Sequence, residues 1–410
     1  MPSIAARPLN PFRVLVQHRN FRIFWIGQTA SLIGTWMQSV GLGWLTLEIT
    51  NSAFMVGLMA TASAFPVVLL SLYGGVIADR SDKLRLVTIA QALLLVEAAV
   101  LWWIVWSGHV TIGWLLGLTL LGGTIGAFEI PTRQAFIIEL VTRDDLTDAI
   151  ALNSGGFNLA RVIGPSVAGI LIHRAGIAWC FAANALSYLS VLVGLFMIRL
   201  PPRVVMRATT SPWEGLVQGL RYMNRTREVA SLMRIIAVYG IFTVPYLSLM
   251  PVIARDVLHT GAGGFGLLLT SVGIGGFLGA LALATIGQRV ARGRLLQGSA
   301  YAFSVLLLVF SFSRSVPVAA VLLLFVGFTM ILNGAQANGM LQSLIPDELR
   351  GRVMAAYAWI VVGLAPVVGP FLAGAAATRI GAAAAIGLGA AITLVYALWV
   401  FSRQPALASA

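Results

Sequence analysis

Twelve apolar stretches, each long enough to cross a bilayer, follow one another along this chain with little between them but short loops. About 30 Å of hydrocarbon takes about 20 residues to span. The stretches fall near 22–47, 54–77, 84–106, 110–138, 147–173, 177–198, 229–254, 264–287, 295–312, 316–338, 353–377 and 382–401. Water-soluble domains cannot be built from the remainder: 59% of the 410 residues are hydrophobic and 10% are charged, against about 25% charged in soluble domains. The expected fold class is therefore an all-α membrane protein of twelve transmembrane helices. The first stretch is too long for a signal-peptide core and no small-residue cleavage site follows it, so it reads as retained.

A net charge of +13 would suggest nucleic acid in a soluble protein, but here the basic residues follow the topology. With twelve spans both termini share a side. That side carries 21 of the 27 Lys and Arg residues, the opposite loops carry Arg174, Arg255, Arg314 and Arg379, and Arg161 and Arg234 fall within spans. Cytoplasmic loops are the arginine-rich ones, so both termini are expected to be cytoplasmic, in a bacterial inner membrane, with lipids as partners and no nucleic acid. Cys180 is the only cysteine, which excludes an intramolecular disulfide and a cysteine-based zinc cluster. No cofactor or metal is expected, and the working unit is expected to be a monomer.

The longest connection, 199–228, carries Pro201 and Pro202 and divides the chain into a six-helix half over 1–198 and another over 229–410. Trp213, Leu216, Val217 and Leu220 share one helical face beside Arg221, Arg225 and Arg227. Such a helix lies on an anionic leaflet or packs on the bundle. The halves repeat. Gly164-Pro165 and Ala168-Gly169 in span five recur as Gly369-Pro370 and Ala373-Gly374 in span eleven, and Gly176 and Gly381 open spans six and twelve at the same offset. Duplicated halves around a central site, with access alternating by rocking, are a transporter architecture.

The loop between spans two and three reads Gly75-Val-Ile-Ala-Asp79-Arg80-Ser-Asp82-Lys83-Leu-Arg85. Positive-inside bias explains Arg80, Lys83 and Arg85 but does not call for Asp79. Together these residues resemble the signature loop of the major facilitator superfamily, with Asp82 where glycine is usual. The resemblance implies that Asp79 and Arg80 help latch the cytoplasmic side, with Gly75, Lys83, Arg85 and Arg133 as the rest of that gate motif. The second half keeps Arg289, Arg292 and Arg294 without the acid. Gly164-Pro165 through Gly169, like Gly369-Pro370 through Gly374, resembles the span-five motif of the superfamily's antiporter branches, although Ala160 and Ala168 stand where glycine is typical. Proline frees a carbonyl and bends a helix, and small residues admit a close neighbour, so a packing kink is the alternative reading.

Three further strings narrow the resemblance: Phe21 through Gln28 with Gly34-Thr35-Trp36-Met37-Gln38, Ala127 through Phe136, and Leu152 through Arg161. They are similar to the enterobactin-exporter-like branch, or transmembrane secretion effectors. This implies export of small-molecule substrates such as siderophores or lipophilic drugs, with protons as the coupling ion.

Span one carries a signal of its own. Gln28, Ser31, Thr35 and Gln38 lie on one helical face of a segment that otherwise has to be apolar, so that face should line water or bond to neighbouring helices. Asn333, Gln336 and Asn338 make a comparable cluster in span ten. Trp36, Tyr239 and Tyr246 lie deep in the first and seventh spans, which in the superfamily line the cavity; flat substrates stacking there and core packing both remain open. Trp102, Trp103, Trp106 and Trp114 sit near span ends, where interfacial belts place them.

Ionisable groups within spans cost about 2.5–3.5 kcal/mol each on insertion scales and ask for a partner or a function. Glu97, in the middle of span three, is expected to face helices or lipid, because span three is peripheral in the superfamily, and it is the proton-coupling candidate next in line after Glu129 and Arg161. Glu129 and Arg161 are expected to reach similar depths on spans four and five if span four continues past Pro131. They would then form a proton-coupling pair, the alternative being an i,i+4 bridge from Glu129 to Arg133. The single lysine, Lys83, is followed by Leu84, so a Gly-x-x-x-x-Gly-Lys-Ser/Thr phosphate loop is absent. The four histidines are scattered and no acid pair has catalytic spacing. An enzyme is therefore not expected, and a gradient-driven exporter is favoured over an importer or facilitator of the same fold.

Overall fold

A computed structural model describes residues 12–200, 212–286, 290–405 and 407. Pro201, Pro202 and Arg289 lie outside them. The described residues form helices joined by short loops, with no strand among them. The first six long helices are α1 (Arg19–Thr50), α2 (Ala53–Arg80), α3 (Lys83–Trp106), α4 (Ile112–Leu140), α5 (Leu146–Ala175) and α6 (Ala178–Met197). The second six are α7 (Arg227–Val257), α8 (Ala262–Ile286), α9 (Arg292–Phe312), α10 (Val316–Leu344), α11 (Glu348–Ile380) and α12 (Ala382–Arg403). Eleven of these are both long and apolar enough to cross a membrane. The exception is α1, whose 32 residues reach about 48 Å at 1.5 Å per residue but carry the polar face.

Turn chemistry fixes the ends. Ser52 caps α2, its hydroxyl accepting from the Met55 N–H at 3.3 Å, and Thr111 caps α4 in the same way. Asp82 caps α3, accepting from the Arg85 N–H at 3.0 Å with φ −65°. The turn therefore needs no left-handed residue, and the carboxylate standing where glycine is usual gives up nothing. Asp82→Ala should cost about 1 kcal/mol of stability, read as a small fall in Tm of the purified protein; no change would remove the cap from the account.

Prolines shape the interior of α7 and α11. Pro245 has no N–H for the Ile241 carbonyl, and the chain before it runs as a π-helical segment, Tyr239–Thr243. A second such segment, Trp359–Leu364, precedes Pro366 in α11. By contrast α5 stays continuous through Pro165.

The repeated Gly-Pro elements do equivalent packing in the two halves. A Cβ on Gly164 would lie 2.5 Å from the Trp36 Cβ of α1, and one on Gly369 would lie 2.5 Å from Pro245 and 2.8 Å from the Ile241 carbonyl of α7. The second glycine of each element faces across the halves instead. A Cβ on Gly169 would stand 3.1 Å from the Gly266 Cα of α8, and one on Gly374 would stand 3.2 Å from the Gly57 Cα of α2. Each motif thus brings one helix close within its own half and another close across the interface.

Neighbours in sequence are not always neighbours in space. Helix α4 lies against α2 and α3, whereas α5 lies against α1 and α8. The short helix Pro212–Arg225 buries Leu216 and Met223 against the second half while Trp213 is exposed, so it packs on the bundle.

Candidate functional site

The halves share one hydrophobic core at the end of the bundle remote from the 199–228 connection. Trp44, Leu47 and Val56 of the first half join Leu249, Met250 and Phe265 of the second, with the Trp44 and Phe265 rings stacked at 5.9 Å. Arg255 ties this end together: its guanidinium donates to the Leu47 carbonyl at 3.2 Å and to the Asn51 side-chain oxygen at 2.5 Å. Asn51 ends α1 in the left-handed region, φ 48°, which an asparagine tolerates.

At the connection end the cores are separate. Phe21, Phe24, Phe136 and Leu152 cluster within the first half, and Leu232, Met340, Val353 and Phe401 within the second, with Leu72 of α2 packed against the latter. Contact between α2 and α11 continues there, with the Trp359 indole donating to the Val68 carbonyl at 3.2 Å. Between α5 and α8 it stops: Gly273 still abuts Val162, but a Cβ on Gly155 would meet nothing, and Phe157 is 44% exposed.

Between the sealed end and the parted end lies a cavity of about 610 Å³. The polar face of α1 lines it as a unit, with Gln28, Ser31, Thr35 and Gln38 all on its wall beside Trp36. Gln91, Glu97, Glu129 and Arg133 from α3 and α4 line it as well, with the hydroxyls of Ser39, Ser63, Thr119, Tyr188 and Ser248.

Glu97 points inward from α3. It is 3% exposed, and the Gln38 amide donates to both of its oxygens at 3.2 and 3.3 Å. Of the two surroundings expected for it, helices or lipid, it has helices: Gln38 of α1 and Gly122 of α4, which leaves the gap beside its carboxyl group. The oxygen of Gln38 accepts from Asn184 of α6 at 2.7 Å, and Ser187 donates to Asn184 at 3.1 Å. Asn184, fully buried, was missed in the sequence although an amide within an apolar span is itself a signal.

Glu129 and Arg161 do not pair. Helix α4 does continue past Pro131, to Leu140, yet α5 is not its lateral neighbour. One oxygen of Glu129 instead accepts from the Gln91 amide at 3.1 Å and from Arg133 Nε at 2.9 Å. Arg133 is thereby drawn into the cavity wall rather than the loop gate. Arg161 lies over the Trp36 ring at 5.9 Å and donates to the Met330 sulfur at 3.7 Å across the halves. Phe157 meets Trp36 edge-on at 6.0 Å.

Other expected residues fall elsewhere. Tyr239 and Tyr246 pack against Phe303, with ring centroids at 4.6 and 6.2 Å, and do not line the cavity. Leu247, Ser248 and Pro251 of α7 line the wall instead. Asn333 and Gln336 are buried away from it in α10. In the loop, Asp79 and Arg80 are exposed and make no hydrogen bond or ion pair among the described residues; Arg85 is exposed as well. Lys83 pairs with Glu139 of α4 at 3.0 Å. Gly75 has open space where a Cβ would stand, and Gly74 is the glycine that abuts α4, at Ala127 and Phe128.

The family described as transmembrane secretion effector matches residues 6–409. The chain is similar to the staphyloferrin A transporter of Staphylococcus aureus, 25% identical over 327 residues, covering 78% of this chain and 81% of that one. It is similar to the multidrug efflux pump Tap of Mycolicibacterium fortuitum, 25% identical, covering 85% and 87%. It is also similar to the enterobactin exporter EntS of Escherichia coli O1:K1, 25% identical, covering 83% and 81%. Among solved structures, an inward-facing bacterial homologue of the human lysosomal transporter Spinster superposes with a TM-score of 0.71 at 14% identity, covering 98% of both chains.

Proposed function

This chain belongs to the transmembrane secretion effector family of the major facilitator superfamily, and on that premise we propose that it exports small molecules, siderophore-like or drug-like, by proton antiport. It is a multi-pass membrane transporter and not an enzyme. The export direction rests on the family and on the similarity to an efflux pump and a siderophore exporter; the small-molecule reading rests on the cavity, with apolar walls and a few placed polar groups, sealed at one end by a core shared between the halves and parted at the other. A volume of several hundred Å³ suits a drug-sized ligand.

The arginine-rich connection end is the cytoplasmic one, so the cavity faces the cytoplasm and takes its cargo there. Asp79 and Arg80 latch that side in the opposite state, which agrees with their lack of partners in this one. Glu129, held by Gln91 and Arg133, is the proton-coupling group, with Glu97 the second carboxylate on the wall of the same cavity. Cells expressing the protein should accumulate less of a transported compound than cells carrying an Asp79→Asn variant at equal abundance. Equal accumulation would return the loop to a purely topological role.

Arg255 supplies the outer tie. In a Cys180→Ala background, a cysteine placed at Leu47 should be shielded from an impermeant thiol reagent added outside. Arg255→Ala should raise its labelling rate by about tenfold, for the loss of about 1.4 kcal/mol of closure. An unchanged rate would assign closure to the Trp44–Phe265 core alone.

A further inference from the structure

The hydrogen bonds of the cavity wall are lopsided. The Gln38 amide N–H group is spent on Glu97, and the Gln91 amide N–H group and Arg133 Nε are spent on Glu129. The carboxylates can only accept, so they fix which way both amides turn. The Gln38 oxygen is satisfied by Asn184. That leaves the Gln91 Oε1, on a side chain 1% exposed, and the Gln28 Oε1, on one 4% exposed, both buried with no partner among the described residues. Both residues line the cavity. Two buried acceptors of the wall are thus left without donors, and a buried acceptor without a donor costs about 1–3 kcal/mol.

Charge points the same way. Two carboxylates and one guanidinium line the space, and that guanidinium, Arg133, is engaged by Glu129 at 2.9 Å. The other nearby cation, Arg161, stands over Trp36 and turns to Met330 across the interface. Glu97 has no cation beside it, only the Gln38 amide. The rest of the wall carries uncharged hydroxyls among a majority of apolar and aromatic side chains, including Trp36, Phe157 and Phe265.

We propose that this cavity takes an amphiphilic organic cation, an aromatic or otherwise apolar body bearing N–H donors, whose charge pairs with Glu97 and whose donors satisfy the free oxygens of Gln28 and Gln91. A carboxylate-bearing anion meets the wrong sign and the wrong hydrogen-bonding complement. The inference rests on the export reading for its biological meaning but concerns binding alone.

The test uses the full chain in nanodiscs with ethidium, a flat cation carrying two aryl amines, followed by fluorescence anisotropy. Saturable binding is expected, with citrate at a hundredfold excess failing to displace the dye. Glu97→Gln keeps the shape and removes the charge, and should weaken binding by about tenfold or more, as for a lost charged hydrogen bond. Gln28→Met, similar in length, removes an acceptor and should weaken it by about fivefold. Absence of ethidium binding, displacement by citrate, or unchanged affinity in both variants each overturns the proposal. Should binding behave as expected while no export is found, the transport reading fails and the cavity assignment stands. Export of another compound by a protein that binds no ethidium would leave transport standing and remove the cavity assignment.

Discussion

Glu129→Gln is expected to abolish proton-driven accumulation while leaving substrate binding measurable. The glutamine keeps the volume and still accepts from Arg133 and Gln91, which now bond to Glu129 at 2.9 and 3.1 Å, but it can no longer take up or release a proton. Glu129→Ala should behave differently. It strands Arg133, whose side chain is 13% exposed, as an unpaired cation within a span, and removing one partner of a buried pair costs about 3–5 kcal/mol. That is a large part of the stability of most domains, about 5–15 kcal/mol, so the alanine variant should fall in abundance as well as activity. Membrane abundance measured beside transport separates the two effects. Accumulation with normal proton dependence in Glu129→Gln would move the coupling role to Glu97. Arg161→Ala should not mimic either variant, because Arg161 stabilises no carboxylate here; its loss should loosen Trp36 and the contact to Met330.

Gly57→Leu should be as damaging by a different route. A Cβ at Gly57 would fall on the Pro370 carbonyl oxygen and 3.0 Å from the Gly374 Cα. Backbone cannot yield as a side chain does, so α2 and α11 must separate at the outer end. The variant should reach the membrane, since the contact lies between halves rather than inside one, but it should be unable to seal. A cysteine at Leu47, in the Cys180→Ala background, should then be labelled from outside by far more than in Arg255→Ala, with transport lost. A shielded cysteine and normal transport in Gly57→Leu would mean that the glycine pair does not set closure. Gly266→Leu, facing Gly169 of α5, should reproduce the defect at the other seam.

The polar face of α1 was legible because the membrane makes it so: four polar groups at helical spacing in a lipid-crossing segment demand partners or water, and the cavity supplies both. The Gly-Pro repeat was legible for a similar reason, since closely approaching backbones need residues without side chains. Adjacency was not legible. Glu129 and Arg161 were expected together because α4 and α5 follow each other in the chain, yet α1 and α8 occupy the flanks of α5. Glu97 was left open between helices and lipid, because its environment is set by Gln38 and Gly122, on two other helices. For Tyr239 and Tyr246 the sequence left cavity and core both open, and only the packing against Phe303 decides for the core.

Direction and driving force together decide the central reading, and everted membrane vesicles report both. Their lumen corresponds to the outside of the cell, and acidifying it sets the gradient that an antiporter would use. Ethidium added to the bath should accumulate in the lumen, discharge when a protonophore collapses the gradient, and fail to accumulate in vesicles bearing Glu129→Gln. Accumulation that persists with the gradient collapsed, or that appears only when the lumen is made alkaline, would contradict proton-coupled export.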